Sequence, residues 1–388
     1  MKIAYVTTYN VLDKSTWPKS QLGFCGASYN ISQVLANQSM ILDYIGPLKK
    51  NFSGVTKAKW SFYRYFLKKD YYRWAEPLVL KDYADQIYKQ LSYLNSDIVL
   101  CPENPLLLAY LECEQPIVLW TDSTLGGLIN FYPYLSNLCN ETKRNIYAME
   151  KLGLNKCQLV ILTSDWAAQT AVNIYGINPS KIKVVPRGAN IKCDRTDKDI
   201  RNLVESRPSS PCRLLFLGVE WYRKGGNVAL EIAKQLNQIG LNTQLTVVGC
   251  KPPINEDMPN FVNVRGFIDK STKEGLNEMN KIMAESHFLI LPTVADCAPI
   301  VLIEANSFGV PCLATNIGGI KTTIKDNING KTFLIEANIL EYCNYILYVM
   351  EDYKRYKELA ISAFNEYQYR LNWDVASKTA KQLFMNLI

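Results

Sequence analysis

Short apolar runs, each bounded by polar or glycine-containing turns, recur along the chain. In the first half they are KIAYVTTY, SDIVLC, PIVLW, QLVILT and KIKVVP; in the second they are RLLFLG, TQLTVVG, FVNVRG, HFLILP and PCLAT. Between them, Ile31, Val34 and Leu35, and later NVALEIAKQLNQIG, repeat at helical spacing. Runs apolar at consecutive positions suit strands buried on both faces, and their alternation with helices predicts an α/β fold of mainly parallel sheets covered by helices. The segment from Pro186 to Cys212, rich in charge, serine and proline, predicts the boundary between two halves of similar architecture but no usable sequence repeat.

Length agrees with two halves, since 388 residues exceed what one core usually supports and 48% hydrophobic residues can fill two. The N-terminus MKIAYVTTYN lacks the long apolar core of a signal peptide, and no stretch approaches a membrane span, so the expected location is cytoplasmic. Eleven cysteines scattered through apolar runs read as buried free thiols. One histidine, His287, and no close CxxC argue against a metal site.

The net charge of +7 is uneven. Residues 47 to 75 hold Lys49, Lys50, Lys57, Lys59, Arg64, Lys68, Lys69 and Arg73, interleaved with aromatics from Trp60 to Trp74. Such a segment fits an anionic membrane surface at the inner face of a plasma membrane. Equally, it fits surface helices that turn their aromatics inward and their lysines to water. No nucleic-acid recognition motif accompanies it.

Candidate chemistry clusters at strand ends, where α/β sheets bind polar ligands. After HFLILP comes DCAPIVLIE, which places Asp296 in a loop and Glu304 in the following helix, two carboxylates able to accept hydrogen bonds from sugar or ribose hydroxyls. After PCLAT, the turn NIGG offers backbone donors near Gly318 and Gly319 at a helix start. After RLLFLG, WYRKGG offers Lys224, Arg223 and nearby amides as a diphosphate clamp. The NVRG loop adds Arg265. In the first half, Gly26 is expected beside a helix start, and Asp122 follows the strand PIVLW in TDST, where it can contact a sugar, orient an acceptor or cap its own turn. His287 begins a strand and is expected to be structural.

These residues resemble the GT-B retaining glycosyltransferases grouped as family four, or glycosyl transferases group 1, over almost the whole chain. Gly218 to Gly225 is similar to the family's glycine, basic residue and lysine pattern, with Lys224 at the phosphate-binding lysine and Val219 where arginine is usual. Asp296 and Glu304 match the family's two acidic positions, aspartate replacing the first glutamate. The family's sugar-contacting histidine is replaced by WTDST around Asp122.

The resemblance implies two Rossmann-like domains facing across a cleft: an acceptor-side domain at 1–190, a linker at 191–211, a nucleotide-sugar-binding domain at 212–360, and helices at 361–388 returning toward the first domain. It implies metal-independent, retaining transfer of a hexose from a nucleotide diphosphate sugar to a glycan or lipid-linked glycan, in envelope or exopolysaccharide synthesis. In that reading Lys224, Arg223, Asp296 and Asp122 serve catalysis, while Gly26, Lys224, Glu304, Gly318, Gly319 and Arg265 bind the donor. UDP-glucose is the preferred donor and GDP-mannose its rival. A sugar-nucleotide epimerase of the same architecture and an inactive sugar-nucleotide-binding protein are the alternatives. A dinucleotide dehydrogenase is disfavoured because KIAYVTTY lacks the linked GxGxxG.

Overall fold

A computed structural model describes residues 1–18, 22–253 and 258–388. The chain divides into two compact units, Met1–Asn190 with Trp373–Ile388, and Ile191–Asn372.

The first unit is built on six parallel strands: β1 (Lys2–Val6), β2 (Ile41–Ile45), β3 (Ile98–Cys101), β4 (Ile117–Thr121), β5 (Leu159–Leu162) and β6 (Ile182–Val184). Their spatial order is β2-β1-β3-β4-β5-β6, every pairing parallel. The inner strands β3, β4 and β5 are buried at every position, as their unbroken apolar runs require.

The second unit repeats the plan with β7 (Cys212–Leu217), β8 (Thr243–Val248), β9 (Val262–Gly266), β10 (Phe288–Leu291), β11 (Cys312–Thr315) and β12 (Gly330–Phe333). Their order is β12-β11-β10-β7-β8-β9, again all parallel. Read from β7, this is the doubly wound Rossmann order, so the chain reverses direction across the sheet between β7 and β10. Ligands in such sheets bind beyond the carboxyl ends of the strands at that reversal. The corresponding reversal in the first unit falls between β1 and β3.

Two boundaries differ from expectation. Residues 191–211 are not an extended linker: they contain the helix Asp197–Ser206, opened by a reciprocal capping box between Thr196 and Asp199, and they lie within the second unit. Its charges face outward while Ile200 and Val204 are buried. Arg207 then anchors the segment, its buried guanidinium donating to the carbonyls of Ala284, Phe308 and Gly309 and to the Tyr356 hydroxyl. At the other end, the helix Tyr353–Arg370 stays with the second unit, and the return to the first begins only at Trp373. The helix Trp373–Met385 packs on the helix Leu22–Asn37, with Lys381 donating to the Gln38 carbonyl at 2.9 Å.

Candidate active site

The reversal in the second unit brings together the loops that follow β7 and β10. Arg223 O accepts from Val294 N and from Thr293 Oγ1, both at 2.9 Å, while Arg223 Nη1 donates to Ala295 O at 2.8 Å. Gly225 has φ +80°, and a Cβ there would lie 2.0 Å from Pro292 O, so only glycine allows so close an approach. Trp221, buried against Phe216, supports the loop from below; sequence reasoning missed this role, although the conspicuous tryptophan in WYRKGG was its signal.

Lys224 and Asp296 consequently meet as an ion pair. Arg223 stands beside them, its Nη1 4.0 Å from Asp296 Oδ2, and is itself gripped by Glu220. The hydrogen bond from Arg223 holds the Glu220 carboxyl below the usual range. Of the backbone amides expected to contribute here, Lys224 N, Gly225 N and Gly226 N donate to carbonyls of the same turn.

Glu304 lies in the short helix Ile300–Asn306 and is fully buried. Both of its carboxylate oxygens accept from Lys270 Nζ, at 2.7 and 2.9 Å. Lys270 went unrecognised in the sequence because it sits in the turn after β9, three strands away from β10 in the sheet order, so neither sequence nor strand adjacency marks it as a partner of Glu304. Arg265, expected to bind the donor, lies on the edge strand β9, half exposed, and faces Glu278 at 4.0 Å. Gly318 has φ +55°, and the helix after Gly319 is a single turn, Ile320–Thr323. Among the described residues, the amides of Gly318 and Gly319 enter no backbone hydrogen bond.

In the first unit, Asp122 at the end of β4 pairs with Arg187, Nη1 to Oδ2 3.3 Å. Arg187 is 5% exposed and its Nε has no protein partner among the described residues; it too was missed. At the β1/β3 reversal Glu103 is buried, accepting from Thr8 N at 2.6 Å and from Thr8 Oγ1. Burial pushes its carboxyl up to about 7. Gly26 is not at a helix start: the helix opens at Leu22, which places Gly26 in its second turn, packed beside Asn190. His287 is structural, its Nδ1 accepting from Arg213 N and its Nε2 facing Pro208 O and Tyr353 Oη. Among the described residues no cluster of His, Cys, Asp or Glu is arranged to hold a metal ion, and no helix is long and apolar enough to cross a membrane.

The basic segment also departs from the inward-facing alternative. The helix Ser53–Tyr65 buries only Thr56, leaving Val55, Phe62 and Tyr65 exposed, followed by exposed Phe66 and Leu67. Not all its cations are outward: Lys59 is held between Glu76 and Glu141, and Arg73 donates to Thr56.

Comparison with known proteins agrees with this fold. Residues 211–352 match the family described as Glycosyl transferases group 1. The chain is 25% identical over 188 residues, 45% of its own length and 47% of the relative's, to an Escherichia coli UDP-Gal:alpha-D-GlcNAc-diphosphoundecaprenol alpha-1,3-galactosyltransferase. It is 32% identical over 182 residues, 45% of its length and 47% of the relative's, to the E. coli K12 lipopolysaccharide glucosyltransferase WaaG. The chain thus spans about half the length of these curated relatives. Over its full length it superposes on all of Anabaena HepE, a structure in complex with UDP-glucose, with a TM-score of 0.61 at 15% identity.

Proposed function

We propose, for a chain whose residues 211–352 match the group 1 glycosyl transferases and which folds as the two Rossmann-like halves of a GT-B protein, that it moves a hexose from a nucleotide diphosphate sugar to a glycan or glycolipid acceptor with retention of configuration. The observation that carries this reading is the meeting of Lys224, Arg223 and Asp296 at the strand reversal of the second unit, with Glu304 on the next helix.

As the glycosidic bond breaks, negative charge grows on the departing diphosphate and positive character on the anomeric carbon. Lys224 and Arg223, held by neighbouring loops before any ligand arrives, stabilise that anion more than the starting ester. Gly318 and Gly319 contribute amides not engaged in the backbone ladder. Asp296 accepts from hydroxyls of the transferred sugar, and Glu304 from the ribose. The leaving phosphate assists removal of the acceptor proton, so the scheme uses neither a protein general base nor a divalent metal.

UDP-glucose is the proposed donor, supported by the UDP-glucose complex of HepE and by the glucosyltransferase WaaG among the similar proteins. Envelope or exopolysaccharide glycans are the proposed acceptors, at the inner face of the plasma membrane. The exposed aromatic and basic surface of the helix Ser53–Tyr65 supports peripheral contact there.

A donor-screened assay with extracted native glycans and glycolipids, read by product mass, tests the reading. Hexose addition to an acceptor is the expected result. Interconversion of sugar nucleotides without any acceptor would instead indicate an epimerase, and donor binding without turnover an inactive binder.

A further inference from the structure

We propose that Lys270 is a positioning residue for nucleotide recognition: its ammonium orients the buried Glu304 carboxylate and balances its charge, so that the acid is held in place to accept from the ribose 2′-hydroxyl. The inference deepens the donor-site reading above and rests on Glu304 as the ribose-contacting acid.

The stereochemistry supports it. An ionised carboxylate has about four acceptor directions, two on each oxygen. Lys270 Nζ takes one on each, at 2.7 and 2.9 Å. The two directions that remain diverge, so the carboxylate held in this way meets a single ribose hydroxyl, the 2′-hydroxyl, rather than both hydroxyls of the diol. Of the three N–H donors of the ammonium, two are used by Glu304, and the third is left for water or ligand.

The placement argues against a filler role. Glu304's side chain is 1% exposed, whereas that of Lys270 is 35% exposed. A carboxylate taken out of water is unfavourable unless paired, and apolar side chains usually fill such space at least as well as an ion pair. Here the pair sits beyond the carboxyl ends of the strands, where the ligand of a doubly wound sheet belongs. Lys270 comes from the turn after β9 and Glu304 from the helix after β10, so two separate loops are joined at this one carboxylate. Asp269 braces that turn by accepting from Ser271 N and Oγ, which fixes the root of the lysine.

The test is calorimetric titration of the full chain with UDP, GDP and their 2′-deoxy forms, using the base that binds more tightly for the comparison. The unsubstituted protein should prefer the ribonucleotide by about ten-fold, the value of one hydrogen bond to a charged acceptor. Lys270→Met should weaken ribonucleotide binding by about ten-fold and reduce that preference to within about two-fold. Lys270→Arg, which keeps a cation in place, should retain most of both, and this variant keeps the test decisive should Lys270→Met not fold. A purely structural lysine would leave the ribose preference intact in folded Lys270→Met, and that result overturns the inference. Glu304→Gln separates the two ideas. Loss of preference there with retention in Lys270→Met removes only the role of Lys270, while retention in both removes the ribose reading of Glu304 as well.

Discussion

Lys224 and Asp296, 72 residues apart in sequence, form an ion pair between side chains that are both largely buried. The pair joins the residue expected at the diphosphate to the one expected at the transferred sugar. Its cause is topological, because the β7 and β10 loops adjoin only where the sheet order reverses. The lysine is therefore oriented before a donor binds. Lys224→Ala should lower kcat/KM by about 10²- to 10³-fold, the usual effect of removing one preorganised donor to a developing anion. Steady-state transfer kinetics check this, and a change below about three-fold would contradict the clamp.

Gly225 should prove as sensitive as the charged residues although it has no side chain. Its φ of +80° and the 2.0 Å approach of a would-be Cβ to Pro292 O leave no room for alanine. Gly225→Ala must either strain the turn or part the two loops, so a loss of about 2 kcal/mol or more is expected in urea unfolding of the second unit. Turnover should fall with it, since parting the loops separates Lys224 from Asp296. Unchanged stability would show that the loops are not tightly joined.

The fold was legible in the sequence where strands are buried on both faces. Ten apolar runs predicted ten of the strands among the described residues, and the two described strands that escaped, β2 and β12, are edge strands. Ile41 is exposed and the next three residues of β2 are only half buried, so ILDYI shows no continuous apolar run. GKTF in β12 is short and half polar. Lys224, Asp296 and Glu304 were readable from motif and strand-end position. Their partners were not. Lys270 and Arg187 meet Glu304 and Asp122 from loops that follow non-adjacent strands, and nothing local in DKST or VPRGAN marks either as a counter-charge. Composition located the boundary, since the units divide at Asn190/Ile191 within the segment rich in charge, serine and proline, but it masked the stripe of Ile200 and Val204 that makes 197–206 a helix of the second unit.

His287 makes acid stability a test of the second unit. Burial first, then the charges of Arg207 and Arg213, push its pKa down to about 4 from an ordinary 6.5. The unfolded chain therefore binds more protons between these values, so stability falls as pH falls. The contribution is fully present above about pH 6.5 and is lost through pH 4, on the order of 3 kcal/mol in all. His287→Gln should lower stability at neutral pH yet flatten the pH dependence by about one proton across that window. Urea unfolding between pH 7 and 4 checks it; an unaltered slope would place the acid sensitivity elsewhere.

The outward aromatics of the helix Ser53–Tyr65 separate two roles within one basic segment. Trp60, Phe62, Tyr65, Phe66 and Leu67 are exposed beside Lys57, Arg64 and Lys68, whereas Lys59 serves the Glu76–Glu141 pair. Replacing Phe62 and Phe66 by serine should cut sedimentation with anionic vesicles by about ten-fold while leaving thermal stability nearly unchanged. Lys59→Met should do the reverse, lowering stability by about 3 kcal/mol because Glu76 is left buried without its cation. Equal vesicle binding by the two proteins would reject this helix as the membrane contact.

Asp122 and Arg187 should respond unequally to loss of a partner. The Arg187 guanidinium is almost wholly buried, whereas the Asp122 side chain is 22% exposed and can draw on water. Removing Asp122 leaves a buried cation without this counter-charge, which costs about 3 kcal/mol; removing Arg187 leaves a carboxylate that solvent can still reach, which costs less. Asp122→Ala is therefore expected to destabilise the first unit more than Arg187→Met, and Asp122→Ala combined with Arg187→Met should recover part of the loss. The same cycle bears on function. Should Asp122 contact substrate, as its place in TDST suggests, the double variant will regain stability without regaining turnover. Recovery of both together would make the pair a support of the fold and remove Asp122 from the reaction.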